Sequence, residues 1–281
     1  MAEYTQSKAG PMRQVLRGCM RVASRFFPRT PTVRQTKFHG FDLLVWANEY
    51  IGRRILTVGS FEKDEMARLP SFVGPGDTCV DVGANIGLHT LSLARAVGAT
   101  GHVFSFEPVR KNALLAQLNC EINNLHNVTM VASPLSDVSG KILSANLPDN
   151  DSSFAFFSET GGMGDEGATR TLDEFCESRA VATVHFIKID VEGAEMKILR
   201  GASKLLSSPG APRVVMVEMV DNYLRRFGDN AGDAVAFMAS LGYRPFVVRD
   251  GQLKAATVET IDTENVYFQK VSVPSEGMPA R

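Results

Sequence analysis

From position 78 onward the chain alternates between short apolar runs and longer segments of helical period. The runs predict strands at 79–83, 102–107, 128–133, 184–190 and 213–219, and the periodic segments predict helices at 86–97, 110–122, 194–206 and 231–241. Such alternation builds an α/β fold in which helices cover both faces of a mainly parallel sheet. Two further apolar runs, 243–248 and 264–270, complete the sheet, and in the second of them Val266 and Phe268 share a face.

Before this body, runs at 41–46 and 54–58 read as two strands or a hairpin, and a helix at 61–69 is closed by Pro70. They form a small cap, residues 35–76, ahead of a main domain at 77–270 and a tail at 271–281. The regular alternation breaks at 138–180. There, 141–147 and 153–157 read as short strands, while Gly161, Gly162, Gly164 and Gly167 are too closely spaced for an element. The segment is a mobile flap or a plain surface insertion. Residues 11–27, within a separate 1–34 segment, plot as a helix with Arg13, Arg17, Arg21 and Arg25 on one arc and Leu16, Met20, Phe26 and Phe27 on the other. That pattern suits docking on the body or on a second subunit, as in a dimer; a peripheral membrane helix and a targeting segment share it.

With 281 residues and 44% hydrophobic content, one substantial core is expected. The net charge of −1 hides an asymmetry, because the basic residues of 1–37 are opposed there only by Glu3 and the remainder is net acidic. An acidic body argues against a nucleic-acid acceptor, which needs a basic groove. Cys19, Cys79, Cys120 and Cys176 lack metal-site spacing and read as reduced thiols in a cytoplasmic protein. No apolar run has the length to cross a bilayer, and no secretory apolar core is evident at the N-terminus.

The candidate chemistry begins at Asp81-Val82-Gly83-Ala84-Asn85-Ile86-Gly87, between a strand and a helix. Gly83 and Gly87 permit a sharp turn that brings main-chain N–H groups towards a ligand. Glu107, twenty residues after Gly87, ends the next strand, where a carboxylate accepts both hydroxyls of a ribose. A dinucleotide loop prefers glycine at the middle position that Asn85 holds. With Asp81 ahead of it, the loop suits an amino- and carboxylate-bearing nucleoside such as S-adenosylmethionine better than a pyrophosphate; an NAD-dependent oxidoreductase is the weaker rival.

DVGANIG at 81–87, FEP at 106–108 and FIKIDVEGAE at 186–195, followed by Leu199 and Gly201-Ala202, resemble the FkbM family of S-adenosylmethionine-dependent methyltransferases over roughly residues 40–270. The resemblance implies a class I, Rossmann-like methyltransferase sheet with an antiparallel strand among its last two, and methyl transfer, usually to a hydroxyl oxygen of a natural product, sugar or other small molecule.

Cofactor binding is expected from Asp81, Gly83, Ala84, Asn85, Gly87 and Glu107, with Ser136 and Asp137 at the adenine and Asn112 assisting or lying on a surface. A hydroxyl acceptor must lose a proton, to a base or with help from a metal. Asp190, Glu192 and Glu218 reach one edge of a parallel sheet and are the candidate catalytic set; Asp190 and Glu218, with Asp221 and Asn222 nearby, are also candidates for a divalent metal, although a metal-free site is preferred. Glu195 reads as a helix cap, and Glu62 faces the cofactor or favours its own helix end. His89 is a base or a packed side chain, and Lys188, interior to a strand, needs a carboxylate partner. N-methylation and a non-catalytic cofactor-binding subunit are the alternative functions.

Overall fold

A computed structural model describes residues 30–160, 162, 164–261 and 264–271. The amphipathic segment 11–27 and nearly all of the 271–281 tail lie outside them. The chain divides between Phe61 and Glu62 into two compact units.

In the first unit, β1 (Val33–Phe38) and β2 (Phe41–Trp46) form an antiparallel hairpin closed by His39 and Gly40, both at positive φ. Phe41, Leu43 and Val45 alternate inward along β2, as a half-buried strand requires. The run at 54–58, expected as a strand, belongs instead to helix α1 (Tyr50–Val58). Ile51 and Ile55, four apart, bury one helical face, and Gly59 ends the helix in the left-handed conformation by donating its N–H to the Ile55 carbonyl.

The second unit begins with α2 (Lys63–Arg68), so the helix assigned to the cap packs with the main body; Pro70 lies in the turn that closes it. In chain order follow β3 (Thr78–Val82), α3 (Leu88–Val97), β4 (His102–Phe106), α4 (Arg110–Ile122) and β5 (Val128–Val131). Then come β6 (Ile142–Asn146), β7 (Phe156–Ser158), β8 (Glu166–Ala168), α5 (Leu172–Ser178) and β9 (Phe186–Ile189). The remainder is α6 (Glu195–Arg200), α7 (Ser203–Ser207), β10 (Val214–Met219), α8 (Asp221–Leu224), α9 (Ala231–Ser240), β11 (Tyr243–Arg249), β12 (Gln252–Ala255) and β13 (Glu264–Lys270).

The main sheet has the order β12-β11-β13-β10-β9-β3-β4-β5. The four pairs from β10 to β5 are parallel, and β13 runs antiparallel to both β10 and β11. Because β3 is central and its neighbours β4 and β9 leave it on opposite sides, the carboxyl ends of these strands open a crevice where parallel sheets place ligands. Val266 and Phe268 of β13 are buried together in the larger core cluster, with Tyr267 on the opposite face.

The 138–180 interruption is more structured than its glycines indicate. β6 lies between β7 and β8 in a separate three-stranded sheet, and β8 uses Gly167 from the run expected to form no element. Gly162 packs directly on the main chain of Ser144, where a Cβ would collide. The segment also contributes α5 to the main core: Phe175 meets Phe106 edge to face at 4.8 Å, and Leu172 is fully buried.

Candidate active site

The loop after β3 folds upon itself. Gly83 and Ala84 donate their N–H groups to the Phe106 carbonyl, Asn85 donates to Glu107 Oε2 at 2.8 Å, Ile86 donates to the Asn85 side chain, and Gly87 donates to the Ala84 carbonyl. All five amides have partners within the protein. A pyrophosphate would need such donors. Gly83 has its own protein-side reason: at φ +82, a Cβ would run into the Asp190 carbonyl of the adjoining strand end. Gly87, at φ +89, lets α3 approach Ala116 of α4, where a Cβ would sit at 3.1 Å.

Glu107 stands beside the loop, buried, with Oε2 on the Asn85 amide and Oε1 on the Val109 amide, each at 2.8 Å. Burial raises its pKa to about 7, while those two amides pull it down. Each oxygen retains a further acceptor site, which is the requirement for two ribose hydroxyls.

Beneath the loop, Asp81 and Lys188 are neighbours in the β3–β9 register, and the ammonium lies 3.8 Å from Asp81 Oδ1 and 3.0 Å from Asp190 Oδ2. Thr90 donates to Asp81 Oδ2 at 2.6 Å, tying α3 to β3 across the loop; Oδ1, which faces the Lys188 ammonium, has no hydrogen-bond partner among the described residues. Burial raises the Asp81 pKa against the pull of Lys188 and Thr90. Burial acts likewise on Asp190, but Lys188 outweighs it and keeps that carboxylate ionised below its ordinary range. Lys188 thus has the carboxylate partners its strand position demanded. His89 is buried, 3.3 Å from Glu62 Oε2, and held neutral with a pKa near 3 by burial and by Lys188. Glu62 faces this group rather than only its helix end, and burial beside Asp190 lifts its pKa to about 8.

Asp190, Glu192 and Glu218 converge, with one carboxylate oxygen of each within 4.8 Å of the others. Burial and the Asp190 charge raise Glu192 to about 8 and lift Glu218 well above its ordinary value. Glu195 receives the Val191 and Gly193 amides at 3.2 and 3.0 Å, which is the capping role read from the sequence. The three converging oxygens suit a hard divalent ion, whose oxygen ligands lie about 2.0–2.6 Å away. Asp221 does not join them: it accepts the Ala231 amide and pairs with Arg225.

Ser136 donates to Asp137 Oδ1 at 3.0 Å, and its carbonyl lies against Gly201, where α6 gives way to α7. No hydrogen bond joins them to the loop or to Glu107 among the described residues, and their adenine role stays a proposal. Asn112 is fully buried rather than on a surface, and accepts the Ser152 hydroxyl at 3.0 Å. Sequence reasoning passed over Thr90, whose signal was a hydroxyl one helical turn beyond Gly87, and Arg226, which donates to the Glu192 carbonyl at 3.1 Å.

The model of the methyltransferase FkbM domain matches residues 81–245, more than half of the chain, and spans both the loop and the carboxylates. The chain belongs to the FkbM methyltransferase family. It is an S-adenosylmethionine-dependent methyltransferase. Among curated proteins, none matches it. Solved structures similar to this FkbM protein include an O-methyltransferase from Bacillus cereus in complex with S-adenosylhomocysteine (16% identity, 78% of this chain and 90% of that one, TM-score 0.45). An S-adenosylmethionine-dependent O-methyltransferase from Thermotoga maritima (14%, 86% and 79%, 0.43) and an S-adenosylmethionine-dependent methyltransferase from Aquifex aeolicus (16%, 78% and 98%, 0.43) are also similar. The FkbM protein has no helix among its described residues that is long and apolar enough to cross a membrane.

Proposed function

We propose that this methyltransferase acts on a hydroxyl oxygen of a small or medium-sized acceptor, with Glu192 as general base. The observation that carries the reading is the carboxyl cluster at the sheet edge, where one acid is kept ionised and another has its pKa raised to about 8. An alcohol must give up its proton as its oxygen attacks, and a base with a pKa near the working pH is the effective one. Asp190, held low by Lys188, is the poorer base; its fixed charge raises Glu192 and would favour a hydroxyl donor pointing at the pair.

The residues present fit the cofactor. Glu107 offers two acceptor oxygens to the ribose, Asp81 Oδ1, which has no hydrogen bond among the described residues, and the Asn85 side chain offer acceptors to an ammonium, and Ser136 with Asp137 would take the adenine amine. S-adenosylmethionine, when bound, supplies a methyl group already activated by its sulfonium. Orientation of the acceptor can then contribute roughly 7–11 kcal/mol of the lowering of the barrier. Asp190, Glu192 and Glu218 would hold a divalent ion if one is used, acidifying the hydroxyl, but Lys188 already supplies a positive charge to Asp190.

The test is a panel of hydroxyl- and amine-bearing small molecules incubated with methyl-labelled cofactor. Labelled O-methyl products are expected, with a rate that rises through about pH 8 and falls at least about a hundredfold in Glu192→Gln. EDTA should leave the rate unchanged. Inhibition by EDTA with rescue by Mg²⁺ would transfer the role to a metal, and exclusive N-methyl products would overturn the hydroxyl assignment.

A further inference from the structure

Glu192 stands on a turn held under constraint. Its φ is +59 and that of Gly193 is +119, where a Cβ would overlap the Tyr223 carbonyl and meet Phe227 Cδ2 at 3.1 Å. A non-glycine residue in the left-handed region persists where its surroundings fix it. Arg226 supplies part of that fixing, since its Nη1 donates to the Glu192 carbonyl at 3.1 Å.

The same guanidinium lies over an aromatic ring of the small sheet. Its Cζ is 3.9 Å from the Phe156 ring centroid and 5.3 Å from that of Tyr223, and Phe227 meets Phe156 edge-on at 6.4 Å. Phe156 belongs to β7, and Tyr223 to α8, which follows β10. One side chain therefore joins three separate stretches of chain: the turn that bears Glu192, the segment after β10, and the small sheet. Arginine suits this because its planar group stacks on rings while its edge donates hydrogen bonds.

We propose that Arg226 is a positioning residue that fixes the Glu192 turn and latches Phe156 beside it, so that the base and the aromatic wall next to it are set by a single side chain. The proposal rests on Glu192 being the base for its catalytic meaning, while the latch itself is a property of the fold. Arg226 also draws the Glu192 pKa down against burial and Asp190, so its loss acts on the carboxyl as well as on the main chain. The other groups facing Glu192 are Asp190, Glu195, Glu62 and Glu218.

The latch is tested by hydrogen–deuterium exchange on the full chain with S-adenosylhomocysteine as the bound probe, so that no acceptor is needed. Arg226→Ala should accelerate exchange at 156–158 and at Val191 and Gly193 together, by about fivefold or more, while strand β3 keeps its protection. Arg226→Gln keeps a donor for the Glu192 carbonyl but loses the cation, and should restore protection at 191–193 alone. Phe156→Leu should loosen 156–158 alone. Unchanged exchange at both segments, or acceleration spread evenly over the main sheet, would overturn the latch. Failure of Glu192→Gln to slow turnover, with coupled exchange intact, would instead remove Glu192 as base and leave the latch standing.

Discussion

At the scale of single residues, the cofactor crevice separates side chains that meet a ligand from those that shape the loop. On the proposed reading Glu107 is of the first kind, because its oxygens serve two amides and still have acceptor capacity. Glu107→Gln should lower affinity for S-adenosylhomocysteine at least about tenfold, since its amide turns one acceptor into a donor facing a backbone N–H. Isothermal calorimetry reads this directly, and undiminished binding would remove Glu107 from the site. Gly83 is of the second kind. Gly83→Ala should destabilise the fold through the clash with the Asp190 carbonyl, so a loss of binding in that variant says little about the ligand. The sequence motif revealed both positions but not this difference, because the Asp190 carbonyl comes from more than a hundred residues away. Ser136 and Asp137 show the same limit: spacing placed them just after a strand, whereas their neighbours Arg170 and Gly201 depend on tertiary packing.

At the scale of elements, the parallel strands and their helices were legible because each carries its own periodic signal over enough residues. Helix α4 has the expected bounds, 110–122, and β13 has its buried Val266 and Phe268. Short or compound elements were not. Helix α1 was hidden by the β-like composition at 54–58, α5 by its place inside a polar interruption, and β12 by reading past the Asp250-Gly251 turn, whose two positive φ values make a hairpin. The buried ammonium of Lys188 shows how elements are joined at the site, since it bridges the β3 carboxylate Asp81 and the Asp190 carboxylate beyond β9. Lys188→Met would leave buried Asp81 and half-buried Asp190 without their counter-charge, and should cost about 3–5 kcal/mol in urea unfolding. Adding Asp81→Asn should recover part of that loss. A single variant within 1 kcal/mol of the parent, an order-of-magnitude threshold, would show that the pair carries no such weight.

Across the whole molecule, the clustered acids make stability depend on pH. Glu192 has a folded pKa of about 8 against an ordinary value of 4.5, so over that interval the folded chain holds a proton that the unfolded chain has released. Stability must therefore fall as pH rises through the interval, and the loss is complete above about 8. Glu218 shifts in the same direction, and Glu107 adds a smaller window below about 7. Two groups oppose this at lower pH: His89, kept neutral with a pKa near 3 rather than 6.5, costs stability as pH falls below 6.5, and Asp190, held low, does so below 3.8. From pH 6.5 to 9 only the first effect operates among these groups. The ligand-free protein should thus melt at a lower temperature at pH 9 than at pH 6.5, with Glu192 alone contributing up to about 2 kcal/mol, or roughly 4–8 °C. Glu192→Gln, which cannot ionise, should make that slope shallower, leaving the part that Glu218 and Glu62 contribute. Scanning calorimetry across the interval decides the matter: a melting temperature that is flat or rising towards pH 9 in the parent chain would mean that these carboxyls are ionised in the folded state, and that none of them is available near neutral pH as the poised base that hydroxyl methylation requires.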